Sequence, residues 1–309
     1  MPHHTTCAQR SDTYGIAVDN ISVTYSNARL ALYNASCYVE PGTITGLVGP
    51  NGGGKSTLFR SIMGFLSPSR GQVSINSMSD AISIQTAQER QLMAYVPQSD
   101  EVDWNFPISV SDVVMMGRYG YMNMFRIPSR KDRQVVRESL ARVGMSEFQD
   151  RQIGELSGGQ KKRAFLARAL AQEGKVILLD EPFTGVDVKT EKSIITLLMQ
   201  LRDEGHTILV STHDLSAIST FCDRVILLNQ TILAAGTTAE TFTEENLAMT
   251  FGSLPLSSLR SNPPGQLPYN QTPGPSANQG PILLPSQSAS QPGHTAVRAA
   301  NAEPRSLNL

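Results

Sequence analysis

Two glycine-rich stretches in this chain have the composition of phosphate-binding loops. The first, "GPNGGGKST", runs from Gly49 to Thr57 and fits G-x-x-x-x-G-K-[ST] between a predicted strand and a predicted helix. Phosphate oxygens must approach main-chain N–H groups that side chains would block, so Gly52, Gly53 and Gly54 leave the room; Gly49, Asn51 and Thr57 complete the loop. Lys55 adds a point charge for the outer phosphates, and Ser56 can give its hydroxyl to Mg2+. The second stretch, "LSGGQ", sets Ser157, Gly158, Gly159 and Gln160 at the start of the helical pattern "KKRAFLARALA", where the positive end of a helix also suits an anion. A third feature is the acid pair Asp180 and Glu181 in "KVILLDEP". The apolar residues before the pair force it to the exposed end of a buried strand, beside the first loop. Asp180 is there placed for the outer shell of Mg2+ and Glu181 for work on a water, so the motifs together point to nucleotide hydrolysis rather than binding alone.

The elements that position these residues read as a mixed α/β domain over residues 16–252. "IAVDNISVTY" alternates like a strand, "TITGLVG" is a short β run, and "KSTLFRSIMGFL" has helical spacing directly after a glycine-rich turn. "KVILLD", "TILVST" and "RVILLN" are continuous apolar runs separated by helical segments, the mark of strands buried on both faces of a parallel sheet. Between Ile108 and Gln172 the strand patterns give way to helical ones, "SVSDVVMMGRYG" and "SRKDRQVVRESLARVG" among them, which predicts a helical subdomain over about 108–172. Residues 1–15 are read as an N-terminal extension. From 253 onward ten of the eighteen prolines crowd into a Ser-, Gln- and Asn-rich stretch with Glu303 as its only acid, and such a composition predicts a disordered tail over 253–309.

In combination and order, these motifs resemble the ATP-binding cassette (ABC) family over about residues 16–250. Besides "GPNGGGKST", "VILLDEP" and "LSGGQ", the chain has Gln98 in "AYVPQ", "TGVD" ending in Asp187, and His213 in "STHD". The resemblance implies a P-loop NTPase with a mostly parallel core sheet, an N-terminal antiparallel β subdomain and an inserted α-helical subdomain. It also implies why there are two cradles: in this family two cassettes pack head to tail, and each ATP lies between the first loop of one copy and the LSGGQ of the other. Ser157, Gly158, Gly159, Gln160 and Asp187 would then contact ATP in trans. By the same resemblance Tyr25 matches the aromatic that stacks on adenine, and Gln98 the glutamine that touches Mg2+ and the water. Glu181 matches the general base, and His213 the residue that contacts the γ-phosphate and orients that base. The chain departs from the commoner pattern at Gly53, where many members have Ala or Ser, and at "TGVD", which replaces "SALD" and keeps Asp187. His3, His4, His206 and His294 receive no role.

The segment after Gln98, "QSDEVDWNFPISVSDVVMMGRYGYMNMFRIPSRKDRQVV", is most similar to the subfamily that powers bacterial uptake of manganese, zinc or iron chelates, manganese and iron foremost. That resemblance implies integral membrane permease subunits as partners, a solute-binding protein acting indirectly, and a place on the cytoplasmic face of the cell membrane. Trp104 and Phe106 are the expected anchors for the permease. Met115, Met116, Met122 and Met124 suggest an adaptable packing or docking surface more than a soft-metal site.

The bulk properties bound these readings. A chain of 309 residues that is 40% apolar can bury a real core, and a formal charge of -1 supplies no field that would gather nucleic acid. The chain shows no apolar run of membrane-spanning length, and "MPHHTTCAQR" lacks a signal's apolar stretch, so a cytosolic protein is expected. Cys7, Cys37 and Cys222 are scattered and form no CxxC pair. Other readings of the motifs are a non-transport cassette ATPase, a non-catalytic regulatory or structural cassette, and the ATPase of a different importer or of an exporter. The short spacing between the two cradles, the intact Lys55, Asp180, Glu181 and His213, and the metal-type insert stand against them in turn.

Overall fold

Among the described residues, ten strands and nine α-helices are arranged around two sheets. β1 (Gly15–Thr24) pairs antiparallel with β2 (Leu30–Val39) and with β4 (Arg70–Asn76), and β5 (Ala81–Ser83) closes that sheet in the order β2-β1-β4-β5. The second sheet has the order β10-β9-β3-β8-β7-β6, from β3 (Ile44–Val48), β6 (Met93–Val96), β7 (Val176–Asp180), β8 (Thr207–Thr212), β9 (Arg224–Asn229) and β10 (Thr231–Thr237). Its strands run parallel except β10, which is antiparallel to β9 at the edge. This computed structural model describes residues 13–26, 28–77, 80–98 and 106–252, all within the unit Met1–Ser261. The calls on most of the N-terminal extension, on the tail and on Trp104 lie outside the described residues.

The parallel strands carry continuous apolar runs, 176–179, 208–210 and 225–228 among them, because each faces two cores. Along β7, Ile177 and Leu179 enter one core while Val176 and Leu178 enter the other, the period of two that a pleated strand imposes. One core joins that sheet face to the helices α3 (Val110–Met115), α4 (Arg130–Arg142), α5 (Gly158–Ala171), α6 (Val188–Asp203) and α7 (Leu215–Phe221). The other joins the opposite face to α1 (Lys55–Ile62) and the antiparallel sheet, through Leu58, Phe59 and Ile62 against Ile16, Val18 and Ile75. Each fully buried Leu or Ile here contributes about 1.5–3 kcal/mol relative to exposure. The remaining helices are α2 (Ile84–Glu89), α8 (Thr238–Thr241) and α9 (Glu244–Phe251).

The fold class read from the sequence is the one observed, with two local differences. The helical pattern of "KSTLFRSIMGFL" stops at Ile62, because Gly64 takes φ +72 just beyond the end and turns the chain away. "SVSDVVMMGRYG" is an α-helix only as far as Met115 and continues as a 3-10 helix over Met116–Tyr121. Two residues require that tightening. A Cβ on Gly117 would stand 2.3 Å from the Arg168 carbonyl oxygen, and Arg118 is wholly buried. Its guanidinium donates to Asp132 Oδ1 (3.1 Å), to the Ala171 carbonyl (2.8 Å) and to Glu173 Oε2 (2.6 Å), and lies 3.8 Å from the Tyr121 ring centroid. Arg118 thus ties the 3-10 turn to the start of α4 and the end of α5. Among the described residues no helix is long and apolar enough to cross a membrane.

Candidate active site

The Gly49–Thr57 loop leaves β3 at the carboxyl end of the parallel sheet and enters α1. Space dictates two of its glycines, Gly49 and Gly54. A Cβ on Gly49 would lie 2.0 Å from the Leu228 carbonyl oxygen of β9, and one on Gly54 would lie 2.6 Å from Leu32 Cδ2 and 2.8 Å from the Ala31 oxygen of β2. Gly52 and Gly54 also take φ of +77 and +100, which side-chain-bearing residues rarely adopt. Gly53 differs: its φ is unexceptional, and a Cβ there meets only Pro50, at 3.0–3.2 Å. The Gly53 carbonyl accepts from the Gln230 N–H (2.8 Å), so the turn between β9 and β10 braces the loop from behind. Gln230, held at φ +60, was not singled out in the sequence, where nothing joins it to a loop so distant.

Lys55 is buried, and its ammonium donates to the carbonyls of Gly49 (2.8 Å) and Pro50 (3.2 Å). Burial pulls its pKa down, while Glu181 and Asp180 push it back up, so the lysine sits in the field of both acids. Ser56 is half-buried and Asn51 exposed on the same loop. Tyr25, just past the end of β1, shares a 3.1 Å hydrogen bond between its hydroxyl and Thr57 Oγ1, which fixes the ring beside the loop. Of the residues predicted from the sequence, Tyr25, Gly49 to Thr57, Asp180 and Glu181 are thereby brought to one end of the sheet.

Asp180 and Glu181 leave β7 in different ways. Asp180 is buried and accepts a 2.5 Å hydrogen bond from the Ser211 hydroxyl on β8. Glu181 breaks out of the strand at φ +49, a left-handed conformation that costs an ordinary residue about 1–2 kcal/mol. The break swings its carboxylate into a polar cluster. Glu181 Oε2 has His213 Nδ1 at 3.4 Å, the Thr184 hydroxyl at 3.2 Å and Gln98 Nε2 at 3.5 Å. The His213 hydrogen bond holds the Glu181 carboxyl below the ordinary carboxylate range despite partial burial, and the same bond raises the imidazole. Glu181 is therefore an ionised carboxylate at neutral pH, a protonation state that a base for water requires. Donors available to a divalent cation here are the Ser56 hydroxyl, the Gln98 amide oxygen and the Asp180 carboxylate. Among the described residues no set of three or more His, Cys, Asp or Glu side chains gathers for a metal. A sparse, all-oxygen set suits Mg2+, which keeps several waters and leans on phosphate oxygens rather than on a protein cage.

The LSGGQ residues form a separate, outward-facing group. Ser157 caps α5 in a reciprocal arrangement, its hydroxyl accepting from the Gln160 N–H (3.3 Å) and Gln160 Oε1 accepting from the Ser157 N–H (2.9 Å). Ser157 and Gly158 are exposed, so the helix N-terminus presents its N–H groups to solvent. Gly159 is buried: a Cβ would come 3.2 Å from Thr190 Cγ2, and one on Gly158 would come 3.3 Å from the Gly185 oxygen. The signature residues hence pack on the segment that follows Glu181. Asp187 in that segment caps α6, accepting from the Thr190 N–H (3.0 Å) and hydroxyl (2.7 Å), and these bonds lower its pKa. Lys162, one turn into α5, donates to the Glu181 carbonyl (2.6 Å). Neither Lys162 nor Ser211 was picked out from the sequence, because each bond spans a long separation and neither residue type is unusual in its own segment.

Comparison with known proteins shows the family to which this fold belongs. Residues 32–184 match the family model described as ABC transporter. The manganese transport system ATP-binding protein MntA of Synechocystis sp. is 77% identical over 244 residues, which cover 79% of this chain and 92% of that protein. The chelated iron transport system membrane protein YfeB of Yersinia pestis is 60% identical over 77% of this chain and 79% of its own. Among solved structures, the dimeric bacterial ABC transporter cassette MJ0796 superposes with a TM-score of 0.62 at 27% identity, covering 72% of this chain and 98% of that one. A nucleotide cradle, a signature helix and an acid pair in this order on this fold, together with relatives of such identity, make the chain a member of the ABC transporter ATP-binding family.

Proposed function

We propose that this chain hydrolyses ATP to drive uptake of a metal ion, manganese foremost, through membrane permease subunits. The observation that carries the hydrolytic half is the convergence of His213, Thr184 and Gln98 on one oxygen of Glu181, beside the buried Lys55. Glu181 takes the proton of the attacking water as its oxygen bonds to the γ-phosphorus, and the bond from that phosphorus to the bridging oxygen of ADP breaks. His213 orients the carboxylate, Lys55 and the loop N–H groups hold the phosphates, and Tyr25 stacks on the adenine. Ser56, Gln98 and, through a water, Asp180 would hold Mg2+, which would supply positive charge to the phosphates.

Two copies clasp each ATP, with Ser157, Gly158, Gly159, Gln160 and Asp187 of one facing the loop of the other. Cleavage removes the γ-phosphate contacts to the signature helix and lets the copies part. To swing closure from 1:99 to 99:1 the nucleotide must favour the closed state by about 5.5 kcal/mol, within reach of several charge-assisted hydrogen bonds. The permease docks on the surface after Gln98, where Phe106, Met124, Phe125 and Ile127 are exposed at 61–92%. The chain then lies on the cytoplasmic face of the membrane, and a solute-binding protein acts only through the permease.

Manganese is supported by the identity to the Synechocystis protein, and chelated iron by the Yersinia one. The test is accumulation of labelled manganese and iron in cells lacking the gene. The wild-type gene should restore manganese uptake and Glu181→Gln should not; restored iron uptake with no change in manganese would contradict the choice of cargo.

A further inference from the structure

Glu181 is the residue where β7 ends in a left-handed turn, and both polar groups of its main chain are held by side chains from other elements. Its N–H donates to Ser211 Oγ on β8 (3.0 Å), and its carbonyl accepts from Lys162 Nζ on α5 (2.6 Å). Ser211 is fully buried, and its one hydroxyl is also committed as donor to Asp180 Oδ1 (2.5 Å), so it can rotate to no other partner without losing a bond. A left-handed conformation at a glutamate persists only where its surroundings over-determine it. Here the two anchors come from different elements, β8 and α5, and restrain both ends of the residue's main chain, which fixes the direction in which the side chain leaves the backbone.

We infer that Ser211 and Lys162 are positioning residues that clamp the Glu181 peptide and so aim its carboxylate at the water. Lys162 stands on the first turns of the helix whose start is the signature loop, with the Gly158 and Gly159 contacts to Gly185 and Thr190 beside it. One end of the clamp therefore rides on the element that serves the neighbouring copy's nucleotide. A shift of that helix as the two copies close or part changes the hold on this copy's own base. This inference rests on Glu181 acting as the base.

Lys162→Met, Lys162→Arg and Ser211→Ala, made in the full chain and also in a Glu181→Gln background, test it through steady-state and single-turnover ATP hydrolysis. Lys162→Met and Ser211→Ala should each lower kcat about tenfold with KM for ATP unchanged, while Lys162→Arg, which keeps a donor at that reach, stays within about threefold of wild type. In the Glu181→Gln background the same substitutions should lower the residual turnover no further, since there is no carboxylate left to aim. Wild-type kcat in either Lys162→Met or Ser211→Ala overturns the clamp, as do undiminished losses in the Gln background, which would place their effect on Asp180 or on folding. A Glu181→Gln chain that turns over normally would instead refute the underlying assignment of the base, a separate and recognisable outcome.

Discussion

The paired substitutions Gly54→Ala and Gly53→Ala separate a loop held by shape from one that is merely glycine-rich. At Gly54 the new methyl would meet Leu32 Cδ2 at 2.6 Å and the Ala31 carbonyl at 2.8 Å, and φ is +100. The left-handed backbone costs alanine about 1–2 kcal/mol, and overpacking against β2 adds roughly 1–3 kcal/mol. If the loop escapes this strain by moving, the loss falls on the phosphate contacts, and about 2–5 kcal/mol corresponds to a rise in the ATP Kd of roughly 30-fold to several thousand-fold. At Gly53 the methyl meets only Pro50 at 3.0–3.2 Å and φ is ordinary, so a shift of a few tenths of an ångström suffices. The expected weakening there is less than about tenfold, or 1.4 kcal/mol. Titration of both variants with ATP, with circular dichroism to verify folding, distinguishes them. Equal affinities for the two variants would refute the steric reasoning.

Other outcomes follow from the remaining polar networks. Arg118→Met should lower the stability read from urea unfolding by ~3–5 kcal/mol, towards the lower end because the Ser129 N–H and hydroxyl still hold Asp132. A loss under about 1 kcal/mol would mean the buried pair behaves like a surface one. The Glu181–His213 pair predicts a pH window. The raised imidazole contributes stability below its ordinary 6.5 that is lost as pH rises through its folded value, and the depressed carboxyl contributes stability above its ordinary 4.5 that is lost as pH falls. The pair is thus strongest between those ordinary values. An NMR titration should give His213 a midpoint above 6.5 that drops in Glu181→Gln, and an unchanged midpoint in that variant would dissolve the pair.

What could be read from the sequence divides along physical lines. β7, β8 and β9 are legible because a strand buried on both faces shows as a continuous apolar run, 176–179, 208–210 and 225–228 here. β4 and β10 carry mixed, half-exposed residues, and their pairing is decided by neighbours rather than by their own pattern. The helical reading of residues 109–120 captured the element and missed the 3-10 turn, which depends on Gly117 meeting α5 and on Arg118 finding partners in two other helices. At the site, the nucleotide loop and the acid pair are local motifs and could be found by spacing. Gln98 and His213 came from family resemblance, and the structure sets both at the Glu181 carboxylate. Ser211, Lys162 and Gln230 act through single hydrogen bonds to main-chain groups far away in sequence, and no local pattern encodes such a bond.

The mechanism requires that ATP join two copies of this chain and that Glu181 cleave it. The measurement is the mass of purified Glu181→Gln by light scattering, with and without saturating ATP and Mg2+, alongside its phosphate release. The expected result is a dimer only with ATP and a phosphate release rate at least about a hundredfold below wild type. A chain that stays monomeric at saturating ATP, or that releases phosphate at the wild-type rate, would contradict it.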